Sequence, residues 1–208
     1  MTDQIPQKES LESILRRTFN GVLDQVAAFL LSLGLKPNHI TVMGLGGNII
    51  AAVLIGTGHL VWGGVVAMLM GPLDAVDGAM ARKLNAPSRF GAFLDSVTDR
   101  YDELVLLGGL LVYFLTKDNT FGSVFTYLAA AGSVLVSYMR AKAEALGFSA
   151  KVGILTRVER YLILIPGLLF KIPVISVGII AVLSNFTAVQ RFCYVRKQAR
   201  ENDPDRIN

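Results

Sequence analysis

Apolar segments of membrane-crossing length recur along this chain, at about 39–57, 60–81, 91–115, 121–146, 154–170 and 172–194. In hydrocarbon no water is present to satisfy backbone N–H and C=O groups. A segment of about 20 apolar residues therefore has to close its hydrogen bonds within itself, as a helix. With 208 residues, 52% hydrophobic and a mean hydropathy of +0.51, the chain is too apolar for an ordinary soluble domain. The start, MTDQIPQKES, has no basic region followed by an apolar stretch and a small-residue cleavage site, so no removable signal peptide is expected. Cys193 is the only cysteine, which excludes an intrachain disulfide and a cysteine zinc site.

Charge orients the spans. Of the 20 Lys and Arg residues, only Lys117 and Lys171 fall in connections on the opposite side from the arm, the loop near 82–90, the connection 140–160 and the tail. An even number of spans with both ends in the cytoplasm follows. Before the first span, Leu11, Ile14, Leu15, Thr18, Phe19, Val22, Val26, Phe29, Leu30 and Leu33 recur at spacings of three and four. Glu12, Arg16, Arg17, Asn20, Asp24 and Gln25 occupy the other side. This helix lies in the membrane surface or packs on the protein's own bundle, and the two readings are compatible. Lys36-Pro37-Asn38 is expected to end it, because proline has no amide proton.

The expected fold is thus all-α and integral to the membrane, with six transmembrane helices preceded by an N-terminal amphipathic interfacial helix. It divides into an arm at 1–36, a membrane domain at 37–196 and a polar cytoplasmic tail at 197–208, with Arg196 to Asn208 read as a frayed helix end.

Four carboxylates interrupt this apolar chain: Asp74, Asp77, Asp95 and Asp99. On insertion scales each costs roughly 2.5–3.5 kcal/mol at membrane depth unless it is compensated. The first pair is spaced i,i+3 and the second i,i+4, so each pair shares one helix face. The short connection Lys83-Leu84-Asn85-Ala86-Pro87-Ser88-Arg89 makes the two helices antiparallel neighbours, so both pairs come to one depth near the cytoplasmic side. Clustered carboxylates repel unless a cation offsets them, and an all-oxygen donor set favours Mg2+ or Mn2+ over zinc. One or two ions are expected. Gly78, Ala79, Ala81, Gly91 and Ala92 leave room for close helix approach or for a phosphate and ribose beside the ions, and Arg82 is placed to hold a phosphate oxygen.

Asp74, Asp77, Gly78, Ala81, Arg82, Gly91, Asp95 and Asp99 together meet, without gap or substitution, the pattern Asp, two residues, Asp-Gly, two residues, Ala-Arg, eight residues, Gly, three residues, Asp, three residues, Asp. This closely resembles the signature of the CDP-alcohol phosphatidyltransferases, and the arrangement of spans and interfacial helix is similar to that family's fold. The resemblance implies transfer of a phosphatidyl group from CDP-diacylglycerol to an acceptor hydroxyl, with release of CMP. It implies that Asp74, Asp77 and Asp95 bind the metals and that Asp99 both contacts a metal and takes the proton from the acceptor. It further implies that Gly78, Arg82 and Ser88 hold the cytidine nucleotide, with Pro37, Asn38, His39 and Ile40 as a further CDP-lipid contact. Read from its position alone, His39 equally well caps a helix start. A homodimer is also implied, and no nucleic-acid partner is expected.

Ser137, Arg140, Lys142, Arg157, Arg160 and Arg191 gather at the cytoplasmic ends of the last three spans, where positive charge suits an acceptor that already carries a phosphate. The stretches Ser88–Arg100, Ser137–Gly147, Val152–Arg157 and Thr187–Arg191 resemble the phosphatidylinositol phosphate synthases and their archaeal relatives. By that resemblance Ser137, Arg140, Arg157 and Arg191 bind the phosphate of inositol phosphate. Arg140 stands where lysine is usual, and Leu155-Thr156 replace Ala-Glu. A phosphatidylglycerophosphate synthase using glycerol 3-phosphate ranks second, because Ser96 and Arg100 depart from its pattern. A divalent-cation transporter is remote, since the carboxylates sit at one depth rather than along a path. Asp102 and Glu103, a turn beyond Asp99, are expected to pair with basic residues of the acceptor region. Gly56, Gly58, Gly63, Gly64, Gly108 and Gly109 are expected packing positions, and Gly44, Gly46 and Gly47 lie in an apolar span with no preceding strand, so they make no nucleotide loop.

Overall fold

The computed structural model of the chain describes residues 11–84 and 88–202, and the side chains of 17–84 and 88–201. The last six residues of the expected tail, Asn85 to Pro87 of the connection, and the side chains of Leu11, Glu12, Ile14, Leu15 and Arg16 lie outside the described residues. The described chain is all helix: α1 (Leu11–Ser32), α2 (Pro37–Gly56), α3 (Leu60–Met70), α4 (Leu73–Lys83), α5 (Arg89–Thr116), α6 (Thr120–Ala145), α7 (Arg157–Leu169) and α8 (Pro173–Asn202). Among the described residues four stretches are long and apolar enough to cross a membrane: Pro37–Gly56, Leu60–Lys83, Thr120–Ala145 and Pro173–Glu201. The chain is an integral membrane protein with several apolar helices.

Local chemistry sets the boundaries, and several differ from expectation. α1 ends at Ser32, before Pro37 is reached: with φ +78 at Gly34, Gly34 N donates to Leu31 O and Leu35 N to Leu30 O, a left-handed cap that glycine adopts without a Cβ clash. Pro37 instead opens α2, where its missing N–H costs nothing. The expected span 60–81 is divided at Gly71-Pro72. Pro72 cannot donate to the preceding turn, and the ladder resumes with Ala75 N and Val76 N both on Pro72 O. This break falls directly before Asp74. α7 begins at Arg157, later than the expected 154, because Thr156 caps it: Thr156 N donates to Glu159 Oε2 at 2.9 Å. α8 runs through Asn202, so the described residues 197–202 of the expected tail are helical.

The core is shared by α2, α3, α5, α6, α7 and α8 through Ala51, Ile55, Ala67, Leu106, Leu110, Phe114, Ala129, Leu164, Leu168, Val177 and Ile180. Lipid tails are as apolar as these side chains, so association depends on close fit and on hydrogen bonds between helices. Tyr161 Oη on α7 donates to Asn48 Oδ1 on α2 at 3.1 Å, and Asn185 Nδ2 on α8 donates to Leu128 O on α6 at 3.0 Å. Of the expected packing glycines, Gly63, Gly64 and Gly109 do this: a Cβ at Gly109 would strike the Ala52 backbone, and one at Gly64 would press on Leu168. Gly108 faces open space and Gly58 serves a turn, so neither is a packing site.

α1 lies against α4, its Leu23 and Ala27 buried in a second cluster with Ile40, Val76, Ala79 and Met80. The stripe that the spacing singled out is mostly on the outside: Phe19, Val22, Val26, Phe29 and Leu33 are exposed. One helix therefore carries two apolar faces, one on the bundle and one free.

Candidate active site

The break at Pro72 starts α4 with Asp74 in its first turn and buries Asp77 one turn on. Ser88 caps α5 by accepting from Gly91 N at 2.8 Å, which fixes the register that puts Asp95, Asp99 and Asp102 on one face. Gly91 has to be small: a Cβ there would lie 2.8 Å from Ser88 Oγ and 3.3 Å from Asn38 Oδ1. Ser88, Gly91 and Asn38 thus meet where α2 and α5 begin.

Asp74, Asp95 and Asp99 each offer a carboxylate oxygen within 4.8 Å of the others. Three half-buried carboxylates converging from two helices, with no sulfur or imidazole among them, suit a hard divalent cation. Asp77 stands apart from this trio and faces α2, where the Thr41 hydroxyl donates to its Oδ2 at 2.5 Å. Thr41 was not singled out in the sequence; its signal was a hydroxyl one turn into a proline-started helix.

Positive charge enters from α7. Arg157 Nη1 donates to both Asp74 and Asp99, and Nη2 lies 3.5 Å from Asp102 Oδ2. One turn on, Arg160 forms a two-pronged pair with Glu103, Nε to Oε1 and Nη2 to Oε2, the second at 2.8 Å. The expected pairing of Asp102 and Glu103 with basic residues is what the structure contains. Arg160 Nη1 also donates to Leu155 O at 3.3 Å, so this buried pair braces the segment leading into Arg157. That segment is further pinned along α8, where Leu155 N donates to Thr187 Oγ1 at 3.2 Å and Ser149 exchanges two hydrogen bonds with Gln198.

The remaining candidates divide. Arg191 is buried, with Nε on Val152 O at 2.9 Å and Nη1 on Val136 O at 2.5 Å, so it ties the loop and α6 together next to Ser137. Arg140 is exposed and pairs with Glu144 at 3.0 Å. Arg82 and Ser88 are exposed and Gly78 is half-buried along the outer turns of α4 and the start of α5. Pro37 and Asn38 are half-buried; His39 Nδ1 accepts from Lys36 N at 3.3 Å, as a helix-start residue does, and Ile40 is buried in the cluster beneath α1. Asn48 and Tyr161, also not singled out, form the floor between α2 and α7; a lone asparagine inside an apolar span was the available signal.

Comparison with known proteins agrees with this geometry. The profile of the CDP-alcohol phosphatidyltransferase family matches residues 35–190. The phosphatidylinositol phosphate synthase of Streptomyces avermitilis is 35% identical over 213 residues, covering 94% of this chain and 86% of that protein. The archaetidylinositol phosphate synthase of Pyrococcus horikoshii is 33% identical, over 85% of this chain and 92% of its own. Crystal structures of the Mycobacterium tuberculosis phosphatidylinositol phosphate synthase superpose with a TM-score of 0.78 for the form with CDP-DAG bound and 0.79 for the complex with manganese and citrate. Each is 30% identical and covers 84% of this chain, which in turn covers 93% and 88% of those structures. The chain belongs to the CDP-alcohol phosphatidyltransferase family.

Proposed function

We propose that this protein transfers the phosphatidyl group of CDP-diacylglycerol to a hydroxyl of a phosphorylated polyol, inositol 1-phosphate above others, and releases CMP. The observation that carries this reading is the convergence of Asp74, Asp95 and Asp99 within 4.8 Å, faced by Arg157. A carboxylate trio alone fits many reactions. A carboxylate trio with a guanidinium beside it fits a diphosphate donor and an anionic acceptor meeting at one point.

The three carboxylates fit Mg2+ or Mn2+, and Asp77 completes the set as a fourth, with two ions in total. Bound there, the ions would neutralise charge on the diphosphate and on the departing CMP. The chain's own groups do the rest. Asp99 takes the proton of the acceptor hydroxyl as its oxygen bonds to the phosphorus that carries diacylglycerol; the bond from that phosphorus to the bridging oxygen breaks, and its electron pair leaves with CMP. Gly78, Arg82 and Ser88, with Pro37, Asn38, His39 and Ile40 at the head of α2, hold the CDP-lipid. Ser137, Arg140, Arg157 and Arg191 hold the acceptor's phosphate.

The helix order supports six crossings, with α3 and α4 as one span and α5 and α7 completing the count, preceded by an arm at 1–36 whose α1 lies in the membrane interface and followed by a polar segment after residue 196. Lys and Arg placement supports an active site and both termini on the cytoplasmic side of the cell membrane. Family likeness supports a homodimer. Purified protein is to be given CDP-diacylglycerol with inositol 1-phosphate, glycerol 3-phosphate, inositol or serine, and CMP release measured. Fastest release with inositol 1-phosphate is expected. A preference for glycerol 3-phosphate replaces the acceptor assignment, and no CMP with any acceptor refutes the reaction.

A further inference from the structure

Arg157 spreads one guanidinium over carboxylates from two helices. Nη1 serves Asp74 and Asp99, and Nη2 lies 3.5 Å from Asp102 Oδ2. Asp74 and Asp99 are two of the three residues whose oxygens converge within 4.8 Å, so guanidinium and divalent ion draw on the same lone pairs. Asp102 is outside that group. It is 1% exposed, and its Oδ1 has no hydrogen-bond partner among the described residues. A buried carboxylate oxygen without a donor is costly; Asn48 on α2 also hydrogen-bonds the Asp102 carboxylate, and the charged donor at hand is Arg157. Asp102 follows Asp99 by three residues on the same face of α5, so one helical turn, about 5 Å, separates the two seats.

We propose that Asp102 is a positioning residue, the seat that receives the Arg157 guanidinium when Asp74 and Asp99 turn to a divalent ion. The inference rests on the metal reading of the site given above. Arg157 trades a shared bond to two carboxylates for a two-pronged bond to one, using the Asp102 oxygen that is otherwise without a donor. Its charge then stays at the rim of the site, where an anionic acceptor arrives. Ion entry and acceptor capture become one coupled event rather than two independent ones. Without Asp102 the guanidinium has nowhere to go and competes with the ion.

The test uses Mn2+ alone, titrated into the purified full-length protein without substrate and followed by the paramagnetic resonance of the free ion. Asp102→Asn is expected to weaken Mn2+ binding about 10- to 100-fold, the size of effect usual for groups that orient metal ligands. Arg157→Ala by itself is expected to tighten it about tenfold, roughly 1.4 kcal/mol, because the competitor is gone. Combined with Arg157→Ala, Asp102→Asn is expected to change affinity less than about twofold. A merely structural Asp102 weakens binding equally whether or not Arg157 is present, and that result overturns the proposal. Weaker or unchanged binding in Arg157→Ala overturns it too, and decides the matter alone if Asp102→Asn does not fold. Binding indifferent to Asp74→Asn refutes the metal reading itself, a different and separately visible failure.

Discussion

The Thr41 hydroxyl on α2 donates to Asp77 Oδ2 on α4 at 2.5 Å, a bond between residues 36 positions apart in the chain. Asp77 is 5% exposed, so this donor replaces hydration that the helix interface has removed. Thr41→Val keeps the shape and removes the donor. A stability loss of about 1–3 kcal/mol is expected, together with weaker activation by Mg2+. Thermal unfolding in detergent and the Mg2+ dependence of CMP release check both, and Thr41→Ser should restore them.

Asp99→Asn keeps size and hydrogen-bonding capacity but cannot accept the acceptor's proton. CMP release is expected to fall by about 10²- to 10⁴-fold, with the unfolding temperature little changed. Near-normal turnover in the folded variant would remove Asp99 as the base.

The buried Glu103–Arg160 pair makes a prediction with two signs. Breaking one side, as in Glu103→Gln, leaves a guanidinium in the bundle without its counter-charge and should cost about 3–5 kcal/mol. Replacing both, Glu103→Leu with Arg160→Met, should recover most of that stability while CMP release stays low, because Arg160 no longer holds Leu155 O and the segment before Arg157 slackens. Unfolding curves read against acceptor KM separate the two effects.

Arg140 and Arg191 should separate in the same way. Arg140→Ala removes an exposed pair with Glu144, so stability should move by less than about 0.5 kcal/mol and only acceptor KM should rise. Arg191→Ala opens two backbone carbonyls, Val136 O and Val152 O, and should lower both stability and acceptor affinity. Equal effects on stability would show that the buried ties of Arg191 carry no weight.

Much of the site is legible because helix spacing is rigid: i,i+3 and i,i+4 intervals place Asp74, Asp77, Asp95 and Asp99 to converge, and Asp74, Asp95 and Asp99 do, while Asp77 turns to Thr41 on α2. Spacing defines a face but not what covers it. The stripe Val22, Val26 and Phe29 on α1 is apolar as its spacing indicates, yet the residues buried against the bundle are Leu23 and Ala27, one position round, with Leu30 partly buried beside them. A membrane helix hides this distinction, since lipid and protein interior reward the same side chains. Thr41 escaped notice for a related reason, because threonine in a span ordinarily bonds back to its own helix, as it also does here to Pro37 O at 3.3 Å. Arg157 was placed with the acceptor, whereas its contacts within the chain are carboxylates, a pairing between residues more than fifty positions apart that no local pattern encodes.

α4 and α5 bear the converging carboxylates, yet each packs far more on α2 than on the other. α2 is fastened to α5 at both ends, by Ala52 against Gly109 and by Asn38 beside Gly91, and to α4 through Thr41. The width of the acidic cleft is therefore a gauge ground into a third helix. A cation held by Asp74, Asp95 and Asp99 would meet that gauge: the near 2.0–2.1 Å bonds of Mg2+ demand a fixed gap, while the roughly 2.3–2.6 Å bonds of Ca2+ need a wider one. A methyl group added at Gly109, about 15 Å along the helix from Asp99, would reset the instrument without touching any part that reads it.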